Sequence, residues 1–278
     1  MSGRRKVQLA VAGAAAARLA LAGAAALTAR PEGAPWRRMN YARRPVTLLG
    51  GPALAASTTA TAVLGAPAGT KAAAAVVGAV SGLVGGYDDL AGARPEQAGD
   101  KGLAGHLRAL RAGRVSAGAV KVAGIGAAAA AAALLTRRDR GARAVVDGIL
   151  TTGLVAGTAN LVNLLDLRPG RAGKAAVLAA VATLGGPAGG MVAGPLGATL
   201  GVLPEDLGER VMLGDCGANA VGALLGLRLA SLPGRGARAG LLAGVVGLTL
   251  ASEKVSFTKV IEATPGLREL DRFGRLPS

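Results

Sequence analysis

The sequence predicts an all-α fold, a polytopic integral membrane bundle of about nine transmembrane helices. Of the 278 residues, 51% are apolar, and the mean hydropathy is positive at +0.44. The apolar residues are mainly Ala, Leu, Val and Gly, in blocks of about 15 to 22 residues, which is the length of a membrane-spanning helix. Only two Phe, two Tyr and one Trp are present. A large soluble core built on aromatic side chains is therefore not expected.

The first apolar block, 7–27, follows the basic residues Arg4, Arg5 and Lys6 and has the layout of a signal peptide. The loop after it is rich in arginine, which resists translocation, so we expect this block to be retained as a span that ends in the cytoplasm. The N-terminus is then outside and the C-terminus inside, and a cytoplasmic amphipathic tail, 253–278, follows the transmembrane domain, 1–252. The other predicted spans are 46–64, 72–87, 118–135, 144–165, 175–186, 188–203, 216–232 and 239–251.

The stretch 175–203 is short for two crossings, and a single crossing there would invert every later segment. Glycines at every fourth position predict close helix contacts in three of the spans. An Ala- and Gly-rich composition alone is the alternative explanation of that spacing. The glycines concerned are Gly78, Gly82 and Gly86, then Gly222 and Gly226, then Gly240 and Gly244.

The formal charge is +16, from 32 Lys and Arg against 16 Asp and Glu. The basic residues are dispersed between apolar blocks and form no recognition helix or basic arm, so nucleic acid is not an expected partner. Positive loops that flank membrane spans explain the charge. The single cysteine, Cys216, rules out an intrachain disulfide framework and a multi-cysteine metal site.

Acidic and amide residues cluster at the ends of three apolar blocks. Ionisable groups at a membrane boundary are costly and usually face a cavity, a metal ion or a substrate. The nine-span arrangement places all three clusters on the cytoplasmic side, and oxygen ligands of this kind suit Mg²⁺ shared with substrate phosphates. The clusters are Asp88 with Asp89, Asn160 with Asn163 and Asp166, and Asp215.

Each cluster also has a purely structural interpretation. Asp88 and Asp89 fit a solvated helix end, Asn160 and Asn163 fit hydrogen bonds between helices, and Asp215 fits a helix N-cap. A transporter is a further alternative. It is disfavoured because transport sites usually lie near the bilayer midplane rather than at one surface.

At these residues the chain resembles the polyprenyl-phosphate N-acetylhexosamine-1-phosphate transferases. That family carries Asp-Asp after the third span, Asn-x-x-Asn-x-x-Asp-Gly-x-Asp-Gly after the fifth and Gly-Asp-x-Gly-Ser after the seventh. The corresponding segments here are Asp88-Asp89, 160–166 and 214–217, in the same order. The resemblance implies Mg²⁺-dependent transfer of a sugar-1-phosphate from a UDP-sugar to undecaprenyl phosphate, at the cytoplasmic face of the bacterial inner membrane, in cell-envelope polysaccharide synthesis.

The resemblance also implies roles for individual residues. Asp215, with Asp88, would hold the metal ion, and Asp88, Asp89 and Asp166 would be the catalytic carboxylates. Asn163 and Asp166 would position the nucleotide end of the substrate. The substrate-binding residues implied in full are Asn160, Asn163, Lys101 and Arg108.

The chain departs from the family pattern at two positions. Pro169 stands where the family has its second Asp, and Ala218 stands where it has Ser. The alternative is therefore a catalytically degenerate member that binds lipid-linked precursors or envelope-synthesis proteins, the latter through its tail. A homodimer is a further candidate assembly.

Overall fold

The computed structural model describes residues 1–91, 105, 109, 111–113 and 115–277. Helices occupy each of the nine segments predicted as spans, and two short helices follow in the tail. The helices are α1 Gly3–Thr28, α2 Gly50–Gly65, α3 Lys71–Ala91, α4 Ala117–Leu135, α5 Gly141–Leu165, α6 Arg171–Ala182, α7 Gly190–Leu207, α8 Gly214–Ala230, α9 Arg235–Ser252, α10 Phe257–Ala263 and α11 Leu267–Arg272.

Four of the described helices are long and apolar enough to cross a membrane, or five if the bent pair α9 and α10, which meet at 97°, forms one span. Helix α6 has 12 residues and is therefore about 18 Å long, well short of the roughly 30 Å hydrocarbon core. The helical nature of the bundle is thus as predicted, and several helices have membrane character. The four helices of membrane-spanning length are Gly3–Thr28, Ala68–Ala91 (α3 with the 3₁₀ turn before it), Ala117–Leu135 and Gly141–Leu165.

Helix α8 lies at the centre of the bundle and packs against α3 and α5. Nearly all of its residues are buried, and most of them are Ala, Gly or Leu. Small residues make this possible because they let backbones approach closely. A Cβ added at Gly226 would lie 2.4 Å from the carbonyl oxygen of Leu154, and one at Gly85 would lie 2.3 Å from that of Asp215.

The prediction of close contacts fails for α9. A Cβ added at Gly240 or Gly244 would meet no described atom within 4 Å, and only Val245 of this helix is buried. The glycine spacing is the same in α8 and α9, so spacing alone does not decide which helix is packed on its glycine face. The position of the helix in the bundle decides it.

The predicted span 46–64 begins later than expected. Strand β1, Arg37–Met39, pairs antiparallel with β2, Pro45–Thr47, and the helix starts only at Gly50. Thr47 also bonds to the segment before α8, since its N–H donates to Arg210 (3.2 Å) and its carbonyl accepts from Met212 (3.0 Å). This hairpin therefore ties the start of α2 to the start of α8.

The tail folds back onto the bundle. The guanidinium of Arg171, at the start of α6, donates from Nε to Oδ1 of Asp271 (2.8 Å) and from Nη2 to Oδ2 (3.1 Å). Arg275 reaches the carbonyl oxygen of Pro169 at 2.8 Å. The segment 253–278 thus contacts the loop between α5 and α6 and the start of α6 through charged side chains. Apolar side chains of its two short helices, such as Val260 and Leu267, remain exposed.

Candidate functional site

The C-terminal end of α3 and the N-terminal end of α8 meet at one end of the bundle, which we call the acidic end. Asp88 and Asp89 lie in the last turn of α3, and Asp215 lies in the first turn of α8. Lys121, in the second turn of α4, lies between them. Its Nζ is 2.7 Å from Oδ2 of Asp88 and also contacts Oδ2 of Asp215. Two carboxylates from distant segments therefore share one cationic group.

Asp89 is held differently. Its Oδ1 accepts from the N–H of Asp215 at 2.9 Å, and its Oδ2 accepts from the N–H of Cys216 at 2.9 Å. These donors are free backbone groups at a helix N-terminus, which favours negative charge. Gly214 has φ +57°, and a Cβ there would lie 2.8 Å from Oδ2 of Asp89. A glycine is therefore needed at this position, and Asp89 fixes the start of α8 beside Asp215.

Asp166 lies at the C-terminal end of α5 and belongs to the same end of the bundle. The N–H of Gly214 interacts with its carboxyl group, and the carboxyl groups of Asp206, Asp89 and Asp215 are close enough to act on it. Burial, and then the nearby Asp206 carboxylate, raises the pKa of Asp166 well above its usual range. The structure thus brings Asp166 to the acidic end, as predicted.

The two asparagines are not part of this arrangement. Asn160 is exposed on α5, and Asn163 is half-buried. Neither side chain forms a hydrogen bond with another residue in the described part of the chain. Lys101 and Arg108, the other implied substrate-binding residues, lie outside the described residues. The substrate-binding assignments therefore remain predictions.

Lys121 and Asp206 are functional candidates that the sequence reasoning missed. Lys121 is a lone ionisable residue near the start of an apolar block, so the reasoning applied to the acidic residues would have found it. Asp206 is 2% exposed and accepts from the N–H of Gly170 at 3.0 Å. That glycine has φ +71°, so a left-handed turn presents its N–H to Asp206. No sequence signal pairs these two residues.

No group of three or more His, Cys, Asp or Glu side chains is arranged to hold a metal ion in the described residues. The Asp88 and Asp215 carboxylates nevertheless converge on one positive charge, and carboxylate oxygens are the ligands that Mg²⁺ prefers. Together with Asp89 they outnumber the single ammonium of Lys121. In charge and donor type the residues present fit a divalent cation between Asp88 and Asp215, a place that Lys121 now fills.

The two departures from the family motifs have structural consequences. Pro169 offers only its carbonyl oxygen, which accepts from Arg275 of the tail. Ala218 is fully buried within α8, so a serine hydroxyl there would face the bundle interior. The segment after Asp166 therefore binds the tail where the family has a carboxylate.

Comparison of the sequence with protein-family models, and with curated proteins, finds no match.

Proposed function

We propose that the chain is a nine-span membrane protein, with its N-terminus outside and its acidic end at the cytoplasmic face of a bacterial inner membrane. We propose further that it transfers a sugar-1-phosphate from a UDP-sugar to undecaprenyl phosphate with the help of Mg²⁺, in cell-envelope polysaccharide synthesis. The motif order that resembles the polyprenyl-phosphate N-acetylhexosamine-1-phosphate transferases supports the reaction type.

One observation carries this proposal. Asp88, Asp215 and Asp166 come from three segments far apart in the chain, yet they lie at one end of the bundle, and the first two share a single cation. Solvated helix ends or independent helix caps would not require such convergence. A cluster of partly buried carboxylates at a membrane boundary is instead typical of a metal or substrate site.

Each residue of the acidic end would have a distinct role in this reaction. Asp88 and Asp215 would hold Mg²⁺, which supplies positive charge to the pyrophosphate of the UDP-sugar. Lys121 would then turn its ammonium to a phosphate oxygen. Asp89 is a positioning residue, because both of its oxygens hold the N-terminus of α8. Asp166 lies beside this pair and would face the nucleotide end.

In the reaction itself, an oxygen of undecaprenyl phosphate attacks the phosphorus that carries the sugar. The bond from that phosphorus to the oxygen shared with the uridine phosphate breaks, so UMP leaves with the electron pair. The products are a lipid pyrophosphoryl-sugar and UMP. A monoprotonated lipid phosphate would give its proton to Asp88.

The test is release of UMP by the purified full-length protein with Mg²⁺, undecaprenyl phosphate and a panel of UDP-sugars. We expect Asp88→Asn and Asp215→Asn each to lower the rate at least about 100-fold, the scale of general acid–base and electrostatic contributions. Asp139→Asn, at the opposite end of the bundle, is the matched control and should leave the rate unchanged. No UMP from any UDP-sugar, with the lipid phosphate still bound, would refute catalysis.

A second candidate, a non-catalytic protein that binds lipid-linked precursors or envelope-synthesis partners, is favoured by the tail contacts. Arg275 binds the Pro169 carbonyl beside Asp166, so the tail occupies the loop where the family carries its second Asp. This candidate predicts that Asp215→Asn leaves the cellular phenotype unchanged, whereas deletion of 253–278 abolishes it. The transferase predicts loss of the phenotype in Asp215→Asn.

A further inference from the structure

A large cavity lies at the end of the bundle opposite the acidic end. Its volume is about 930 Å³, within the roughly 300–1,000 Å³ of typical small-molecule sites. Its walls come from the connections at that end, namely 67–70, 136–139, 185–188 and 230–235, together with neighbouring helix turns. None of the carboxylates of the acidic end lines it.

The cavity is strongly positive. Five arginines line it against two aspartates, Asp139 and Asp147. Both aspartates are already paired, since Arg235 contacts Asp139 and Asp147, and Arg238 contacts Asp147 at 2.7 Å. The remaining three arginines, Arg137, Arg138 and Arg228, have no carboxylate partner in the described part of the chain.

Arg228 is the fixed charge of this cavity. Its side chain is 4% exposed, and it donates from Nε to the carbonyl oxygen of Thr183 and from Nη2 to that of Gly185, both at 2.8 Å. These carbonyls follow the C-terminal end of α6, where a helix favours a positive group. The guanidinium is therefore held in place, but its charge is not neutralised by an acidic side chain, which is costly for a buried group.

Arg238 adds an unused donor. Its Nε is buried with no hydrogen-bond partner among the described residues, although its other nitrogens contact Asp147 and the carbonyl oxygen of Ala230. Arg137 and Arg138 lie exposed at the cavity and form no side-chain hydrogen bond within the described residues. Two exposed guanidinium groups thus line the same cavity as two that the fold holds in place.

We propose that this cavity binds a phosphate-bearing anion, held between Arg228 and the pair Arg137 and Arg138. Guanidinium forks match phosphate oxygens with two parallel hydrogen bonds, and such charge-assisted bonds are among the strongest in proteins. The same chemistry is offered by a phospholipid headgroup and by a free phosphate compound. The site is separate from the acidic end, so it stands whether or not the chain is a transferase.

The test uses full-length protein, purified in detergent and stripped of lipid. One arm follows the thermal unfolding midpoint as sodium phosphate replaces sodium chloride at constant ionic strength. The other arm uses native mass spectrometry to compare retention of phosphatidylglycerol and phosphatidylcholine. Stabilisation by free phosphate identifies a soluble anion, and retention of phosphatidylglycerol without such stabilisation identifies a lipid headgroup. Either result supports the proposal.

Two double variants make the test specific. Arg137→Gln with Arg138→Gln removes two exposed charges from the cavity, and we expect apparent affinity to fall about 10-fold or more, as for loss of a charge-assisted hydrogen bond. Arg4→Gln with Arg5→Gln removes the same charge from an exposed adjacent pair outside the cavity lining, and should change affinity little. Equal loss in both double variants, or no stabilisation by phosphate together with no lipid retained, would overturn the proposal.

Discussion

Replacing Lys121 by methionine tests the shared cation of the acidic end. The substitution keeps the apolar stem of the side chain but ends one atom earlier, so it removes the ammonium group between Asp88 and Asp215. The three side chains are 18%, 16% and 22% exposed, so most of each is removed from water. Because the partners remain, two partly buried carboxylates are left facing each other without a counter-charge.

The expected loss in the free energy of unfolding follows from that burial. Loss of one partner costs about 3–5 kcal/mol for a fully buried pair and below about 1 kcal/mol for an exposed one. For these partly exposed groups we expect about 2–3 kcal/mol, which lowers the unfolding midpoint by about 5–10 °C for a chain of this size. The assay is thermal unfolding in detergent, followed by far-ultraviolet circular dichroism.

Adding Mg²⁺ to the variant then distinguishes a metal-binding site from a simple ion pair. In Lys121→Met the position between the carboxylates is open to a metal ion, so Mg²⁺ at 100 times its dissociation constant should restore about 2.7 kcal/mol. Lys71→Met, an exposed lysine at the other end of α3, is the control and should lose little stability and gain nothing from Mg²⁺. The reasoning is refuted if Lys121→Met is as stable as the unmodified protein, or if Mg²⁺ affects both variants equally.

Two further predictions concern the tail and the close helix contacts. Arg171 holds the pKa of Asp271 below its ordinary value of 3.8 against the opposing effect of burial, so this ion pair contributes above about pH 4 and is lost as pH falls through the lowered pKa. Protection of the tail amides, measured against the intrinsic exchange rate at each pH, should therefore fall sharply in acid, and in Asp271→Asn already at neutral pH; equal protection of both proteins at neutral pH would contradict the docking. Gly85→Ala places a Cβ against the carbonyl oxygen of Asp215 and should cost about 1–3 kcal/mol in chemical unfolding. Gly244→Ala, with open space around it, should be neutral or slightly stabilising; similar effects of the two would count against the packing of α3 on α8.

The helical segments and their shared end were predictable because both follow from simple rules. Apolar blocks of sufficient length form helices, and successive helices in a bundle reverse direction, so the ends of alternate segments meet. The positions of Asp88, Asp166 and Asp215 at one end are a consequence of that alternation. The start of α2 was misplaced because residues 45–47 pair with 37–39, and a three-residue strand has no clear periodic signal.

The side-chain partners were beyond the sequence pattern. Asn160 and Asp166 share a helix face by spacing, yet only Asp166 meets the other carboxylates, because α5 ends where α8 begins. Among several acidic residues, Lys121 pairs with Asp88 and Asp215, and Arg171 pairs with Asp271. These pairings depend on how the helices pack. Spacing limits which residues can share a face, whereas the neighbouring helices determine what that face contacts.

A disulfide between residue 86 and the native Cys216 tests most directly whether α3 and α8 meet at the acidic end. A Cβ added at Gly86 would lie 3.8 Å from the Cβ of Cys216, which matches the mean Cβ–Cβ separation of a disulfide, about 3.8 Å. Gly86→Cys should therefore form an intramolecular disulfide under mild oxidation, seen as a loss of two hydrogens in the intact mass and as one linked peptide pair. Gly78 lies on the same helix as Gly86 but faces Thr59 of α2. Gly78→Cys should therefore keep both thiols free. If Gly86→Cys also retains two free thiols, the carboxylates of α3 and α8 do not share a site.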